Sequence, residues 1–505
     1  MTDQRKNRTV VKSAMTLAAL LALGACSLTP EYRRPDAPVP AQWPEAPASA
    51  ASSATSASPS AAELPWASYF PDTRLQGLIR KALDNNRDLR VAVLNIEQVR
   101  AQYQVQRADQ FPTLNASISG TRQPAVLPPH DVTTTAQGGV TITAFELDLF
   151  GRLRALSAAA SAQLLSTEEA RRATHISLIA SVANSYYAVW ADRWQLALAE
   201  QTLQARQGSM NLQQLKFDNG VLNELDLRSA QSVLEAARIS RAQAQRQLAQ
   251  DINGLNLLVG ESVAADLLPV VPIMPSASAM ESTDALSALV QNTLWPGLSD
   301  LPVGLPSDVL LKRPDIAQAE QQLISANANI GAARANMFPR ISLTASAGVV
   351  SDSLSGLFDN GRSAWSFSPA LTLPIFDFGR NLALVDSARV KRDIAVAQYE
   401  RAVQGAFREV ADALVARSSY ADQAQAQQAQ TDAEAARLRL ATLRYSSGVA
   451  SQLDLLDAQR GLFASQQALI AAQLARQQSH INLYKALGGG WTADTTGSSA
   501  AASVR

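Results

Sequence analysis

Phe217-Asp-Asn-Gly220-Val221-Leu-Asn-Glu-Leu225-Asp226-Leu227-Arg-Ser-Ala230-Gln231 is answered farther along by Tyr445-Ser-Ser-Gly448-Val449-Ala-Ser-Gln-Leu453-Asp454-Leu455-Leu-Asp457-Ala458-Gln459. The glycines stand 228 positions apart (448 minus 220), and so do Phe150-Gly151-Arg152 and Phe378-Gly379-Arg380. Phe111-Pro112 and Phe338-Pro339 stand 227 apart (338 minus 111). Anchors that keep one spacing, with a single-residue slip, make the chain two copies of one unit. In both quoted stretches a glycine follows a long run without prolines, then Asn-Glu-Leu-Asp or Ser-Gln-Leu-Asp opens the next run. That is how one helix ends in a left-handed cap and another starts on a capping residue. Each stretch predicts a helical hairpin.

Working outward, the period before each hairpin is helical. Val396, Val403 and Val410 recur every seven residues, as do Tyr399, Ala406 and Ala413, which predicts a coiled-coil seam. Phe407 and Leu414 begin a second stripe, as a helix with neighbours on two sides requires. The long helix is expected over about 380–444, and its counterpart over about 152–215. A helix of about 65 residues rises about 95 Å. Still farther out the period falls to two. Ile341, Leu343, Ala345, Ala347 and Val349 alternate with small polar residues, and Trp365, Phe367, Leu371 and Leu373 do the same. Strands are expected over about 340–350 and 364–374, and over about 113–122 and 137–147 in the first copy. The first unit occupies 64–260 and the second 307–488, with a linker and equatorial segment at 261–306.

The ends differ from this body. Arg5, Lys6, Arg8 and Lys12 precede an apolar run from Met15 to Leu23, then Leu23-Gly24-Ala25-Cys26. This reads as a secretory signal peptide over 1–25. The run is too short to cross a membrane, which takes about 20 apolar residues. Leu-Gly-Ala-Cys resembles the bacterial lipobox, which implies acyl chains on Cys26; an ordinary signal peptide beside a free thiol is the alternative reading. Ser27 in place of an aspartate implies, by resemblance to other lipoproteins, sorting to the outer membrane. Residues 26–63 are rich in Pro, Ala and Ser and read as an extended tether with little structure of its own. The Gly/Ser/Ala-rich tail at 489–505 reads as disordered.

Composition removes several function classes. With 44 basic against 44 acidic residues no positive field is available to hold nucleic acid. One cysteine and the scattered His130, His175 and His480 supply no intrachain disulfide and no metal cluster. There is no phosphate loop and no nucleophile–base set, so the expected roles include neither enzyme nor cofactor carrier beyond the acyl chains. The strands carry an apolar face of the length a tilted membrane strand needs, about 9–11 residues. An open sheet in lipid leaves backbone groups unsatisfied at several kcal/mol each. Two pairs of strands are too few to close a barrel, since the smallest bacterial barrels have about eight. Copies of the chain must share the wall, and three copies bring twelve strands.

Motifs narrow this further. Tyr32-Arg-Arg-Pro35 follows the lipobox, Phe145-Glu-Leu-Asp-Leu-Phe-Gly151-Arg152 and Leu373-Pro374-Ile-Phe376-Asp-Phe-Gly379-Arg380 close the strands, and Leu305-Pro306-Ser-Asp308-Val-Leu-Leu311-Lys-Arg313-Pro314-Asp315-Ile316 precedes Ala319-Glu320. With these and the Tyr445–Asp454 turn, the chain resembles the TolC-like outer-membrane factor family in its lipoprotein branch, the OprM- and NodT-like efflux channels. The resemblance implies a homotrimer with a twelve-stranded transmembrane β-barrel and a twelve-helix periplasmic tunnel of coiled-coil helices. It also implies a periplasmic adaptor, an inner-membrane pump, commonly of the resistance-nodulation-division class, and an outer-membrane location. The implied function is a passive exit duct for drugs or other small molecules; the exit channel of a type I protein-secretion system is the alternative. A pore-free coiled-coil lipoprotein is disfavoured, because it needs neither strands nor duplication.

In that family the hairpin turns form a closed periplasmic tip narrowed by inward aspartates. Asp226 and Asp454 are each also explained as helix-start residues, and for Asp226 capping is the preferred reading. Asp457, one turn beyond, has no capping duty and is assigned to the lumen. Tyr445 matches a tyrosine that ties the tip shut, or else simply packs. Gly220 and Gly448 are the turn glycines. Ala450 departs from relatives with an arginine there, so the closing pairs are expected to differ.

Overall fold

The computed structural model describes residues 28–40, 43, 64–124, 132–270, 298, 307–357, 359 and 361–490. The signal peptide and Cys26, most of the tether and of the 261–306 linker, His130, and residues 491–505 lie outside these. The chain divides into two compact units. One holds residues up to Ala37 with Leu94–Glu169 and Ala317–Ala402; the other holds Pro38–Val93, Ala170–Ile316 and Val403 onward.

The elements run α1 (Trp66–Tyr69), α2 (Thr73–Asn85), α3 (Arg87–Ala108), β1 (Leu114–Pro124), β2 (Val132–Leu147), α4 (Arg152–Asp218) and α5 (Glu224–Val259). A short 3-10 helix over Ser307–Lys312 then leads to α6 (Pro314–Ala335), β3 (Arg340–Ser351), β4 (Arg362–Thr372), α7 (Arg380–Ser446) and α8 (Gln452–Ala486). α4 and α7 have 67 residues each.

In the first unit the four strands form one antiparallel sheet in the order β1-β2-β3-β4. The central pairing, β2 with β3, joins residues from opposite halves of the chain, and it brings Gly139 opposite Gly348. A Cβ on Gly348 would stand 2.1 Å from the Gly138 carbonyl oxygen, so a side chain there requires the strands to part. A bulge between Ile142 and Phe145 re-aims the base of β2, with Ala144 at φ 49°. β1 and β4 are edge strands exposed along their whole length, and they carry Ile118, Trp365 (81 % exposed), Phe367 and Leu371 outward. β2 begins at Val132, five residues before its expected start. Val132-Thr-Thr-Thr-Ala136 offers no apolar alternation, yet it pairs residue by residue with β1 up to Pro124. No helix among the described residues is long and apolar enough to span a membrane.

Small residues dominate the helical core of this unit. Ala155, Ala159, Ala162, Ala328 and Ala335 are buried, and the Ser325 hydroxyl donates to the Ala159 carbonyl at 2.9 Å. The α7 seam is buried at Ala388, Ala395 and Tyr399 in this unit, and at Val403, Ala406 and Val410 where α7 belongs to the second. Val396, expected in that seam, is only half-buried. A straight helix drifts about 20° per heptad, and Ala395 takes the seam position one residue earlier.

The second unit has an aromatic core. Tyr69 stacks on Tyr484 with ring centroids 4.1 Å apart, and their hydroxyls donate to His480 O and Leu64 O. Tyr186, Tyr187 and Trp190 extend the cluster on α4. Arg313, from the Lys-Arg-Pro-Asp motif, is buried where it holds Asp315, Glu409 at 2.7 Å and the Ala486 carbonyl at 2.6 Å. α4 and α8 meet antiparallel along polar rungs, Asn184–Asn482, Gln195 to the Gln467 carbonyl, and Gln213–Gln452.

The described part of the tether holds no helix or strand, and it docks through Trp43, which is buried against Phe407 with centroids 4.5 Å apart and covers the second stripe of α7. The reason is that aromatic and charged anchors sit among its Pro and Ala residues. The tail starts later than 489, because Gly489 donates to the Tyr484 carbonyl and both Gly489 and Gly490 are buried beside that ring.

Candidate functional site

The site built by the quoted repeats is the pair of hairpin turns, all of it in the second unit. Each long helix stops on a glycine with positive φ, 71° at Gly220 and 74° at Gly448. Gly220 N–H donates to Phe217 O and Val221 N–H to Lys216 O; Gly448 and Val449 repeat the pattern on Tyr445 and Arg444. These paired bonds form a Schellman cap, which satisfies the last carbonyls of the helix.

Beyond the turns the two copies diverge. Ser451 caps α8: its hydroxyl accepts from Asp454 N–H at 3.2 Å, and the Asp454 carboxylate accepts from Ser451 N–H at 3.0 Å. This capping box, through the Ser451 hydroxyl first and its backbone second, holds the Asp454 carboxyl below the usual carboxylate range. In α5 the cap is Asn223, whose side chain accepts from Asp226 N–H at 2.8 Å. Asp226 stands in the first turn of α5, the place of a helix-start acid beside the positive helix end, while the cap bond itself comes from Asn223.

Asp457 is paired. It faces Arg437 of α7 across the hairpin, and Arg437 also meets Glu434 at 3.2 Å. Tyr445 receives Lys216 over its ring at 5.7 Å, which links the last turns of α4 and α7. Just above, Arg206 of α4 is buried near Arg460 of α8. Burial, and then Arg460, push its guanidinium down to about 10. The turns thus bring Asp454, Asp457 and Tyr445 onto one hairpin end and Asp226 onto the other. Sequence reading missed Lys216, Arg437 and Gln213. A signal for Arg437 existed: it and Asp457 lie ten residues either side of Ser447, mirror positions in an antiparallel hairpin.

No titratable cluster in these helices suits metal binding among the described residues. His175, pushed down to about 4 by burial and then by Arg171, stays neutral at physiological pH.

The sequence profile of the outer membrane efflux protein family matches residues 78–261 and 305–489. The chain belongs to that family. The two matched stretches begin 227 residues apart (305 minus 78), the spacing of the Phe-Pro anchors. Among relatives, the toluene efflux pump outer membrane protein TtgC of Pseudomonas putida is 45% identical over 504 residues, 98% of this chain and 99% of that protein. Outer membrane protein OprJ of Pseudomonas aeruginosa is 42% identical over 488 residues, 95% of this chain and 97% of that protein. The open-state structure of the Neisseria gonorrhoeae MtrE outer membrane channel superposes with a TM-score of 0.80 at 38% identity, covering 93% of this chain and all of that one. Membership in this family makes the chain an outer-membrane efflux channel.

Proposed function

We propose that the chain works as a homotrimeric exit duct, passively conducting small molecules from an inner-membrane pump and periplasmic adaptor to the exterior. One observation carries the reading: a four-stranded antiparallel sheet whose two edge strands each have one side without a partner strand and bear exposed Trp365, Phe367 and Ile118. Such edges are stable in a bilayer only when further strands cover them. Three copies of four strands close a twelve-stranded barrel. The two tandem units of each chain then supply two long helices and their two partners to a twelve-helix periplasmic tunnel.

The pump is of the resistance-nodulation-division type and supplies the energy; the duct adds a path and a gate. Asp226, Asp454 and Asp457 each become a ring of three at the tip, favouring cations over anions. Tyr445 with Lys216 ties the two hairpin ends of a chain together, and Asp457 with Arg437 braces one hairpin between its arms. Acyl chains on Cys26 anchor the mature chain, and three chains exceed the two-signal threshold for stable attachment.

The mass of the detergent-extracted complex tests the duct. Three chains per particle are expected, and a stable monomer overturns it. Cys26→Ser is expected to abolish acyl labelling, and a persistent label removes the anchor from this residue.

A further inference from the structure

The spacing that duplicates the hairpins also duplicates the foot of the sheet, and only one copy of that foot is covered. Where β2 meets β3, Phe150 stacks on Phe338 with ring centroids 4.8 Å apart. On the same strand Glu146 holds Arg152 at 2.7 Å and, across the seam, Arg340 at 3.4 Å. Behind the rings α4 lies on α6, where Ala155, Ala159, Ala162, Ala328, Ala332 and Ala335 are buried and Ser325 donates to the Ala159 carbonyl. All of these residues belong to the first unit.

Moved forward by 228, Phe150 becomes Phe378; moved back by 227, Phe338 becomes Phe111. Those rings are 90 % and 64 % exposed. The helix faces follow. Ala155, Ala159 and Ala162 become Ala383, Ser387 and Val390 on α7, and Ala328, Ala332 and Ala335 become Ala101, Val105 and Ala108 on α3, all six exposed. One half of the interface inside the chain is thus repeated beside β4 and the other beside β1, at opposite edges of a four-stranded sheet. Such halves meet only between copies, head to tail, which is the contact that closes rings. The turn presets its ring. Asp377 accepts from Gly379 N–H at 3.0 Å and Asn381 N–H at 2.9 Å, and Phe378 sits at φ 54°, a strained value that its counterpart Phe150 does not share. A ring held outward before docking loses less freedom when it docks.

We propose that Phe378 stacks on Phe111 of the next chain, an aromatic clasp at the foot of each seam between chains, and that this seam lacks the carboxylate that staples the seam inside the chain. Glu146, Arg152 and Arg340 become Pro374, Arg380 and Thr113, so no acid occupies the position of Glu146. Register is carried over as well: Leu147 opposite Ile341 becomes Ile375 opposite Leu114, both exposed. The clasp rests on the proposed trimer and names the apolar contact that holds its seams, while ion pairing is confined to the seam within each chain.

The test uses the full-length protein, cross-linked by mild oxidation and weighed at a series of concentrations in detergent. Ile375→Cys together with Leu114→Cys should give covalent trimers, because residues directly opposite each other bring Cα atoms to about 4.5–5.5 Å, within disulfide reach. Either substitution alone should leave the chains unlinked. Phe378→Ala and Phe111→Ala should each raise the concentration at which the trimer dissociates about ten-fold or more, and together by less than the product of the two effects. Glu146→Gln should lower the thermal midpoint of the chain and leave dissociation unchanged. A native trimer without the cross-link, or with Phe effects that multiply in full, overturns the clasp alone. Dissociation that responds to Glu146→Gln as it does to Phe378→Ala overturns the contrast between the seams. Brominated lipid that quenches the indole added by Phe378→Trp, above the native background, places the ring in lipid and also overturns the clasp. A native chain that is monomeric at every concentration defeats the trimer and the clasp with it.

Discussion

At the scale of single residues, a glycine ends each 67-residue helix, and its backbone alone sets the penalty for replacing it. A Cβ on Gly448 meets nothing within 4 Å, so the strain of Gly448→Ala is conformational, about 1–2 kcal/mol. Thermal unfolding of the extracted complex should shift down by a few degrees, and an unchanged midpoint would remove the cap from the stability of the tip. Asp457→Ala frees Arg437 and opens the hairpin base; single-channel conductance in planar bilayers should rise, or block by multivalent cations should weaken. If neither moves, Asp457 is a surface ion pair. The turns were legible because glycine and the capping residues act locally, through bonds between near neighbours. The partners of the tip carboxylates were not. Lys216 and Arg437 are ordinary helix-surface residues until the hairpins set them opposite Tyr445 and Asp457. Asp226 differs from Asp454 in one respect: Asn223 supplies the cap of α5 without a reciprocal bond from the carboxylate.

Elements were legible to the extent that side chains carry their period. The α7 seam showed through Val403, Ala406 and Val410 because one helix face is buried continuously. β2 lost its first five residues because a run of threonines has no apolar phase, and only pairing with β1 reveals it. The N-terminal segment looked like a linker because its anchors, Tyr32, Arg34 and Trp43, are few among Pro and Ala. A half-buried pair of carboxyls between α4 and α5 escaped for the same reason as the tip pairs. Asp192 lies near Asp251, and burial first, then that carboxyl, push it up to about 7. An acid with a raised folded pKa binds its proton more tightly when folded. Its contribution is complete below the unfolded pKa near 4 and fades as pH rises through about 7. Native stability should therefore decline over that window, and Asp192→Asn should flatten the decline. Parallel denaturation curves at pH 5 and pH 8 for native and variant chains would contradict it.

For the whole molecule, the proposed trimer rests on the open edges of the sheet. Charge balance and scarce cysteine limited the roles from the start, but the open edges could not be read from composition, since exposure of β1 and β4 appears only after β2 and β3 pair. That order of strands carries a kinetic consequence. In the proposed ring of three chains, half of the junctions between hairpins would be β2 against β3, linked by the polypeptide itself, and half would be β4 against β1, between separate molecules. The first kind closes at a fixed effective concentration, as any tethered pair does. The second depends on how many chains are present. Dilution during refolding should therefore leave the hairpin pair formed and stall only the closing of the ring.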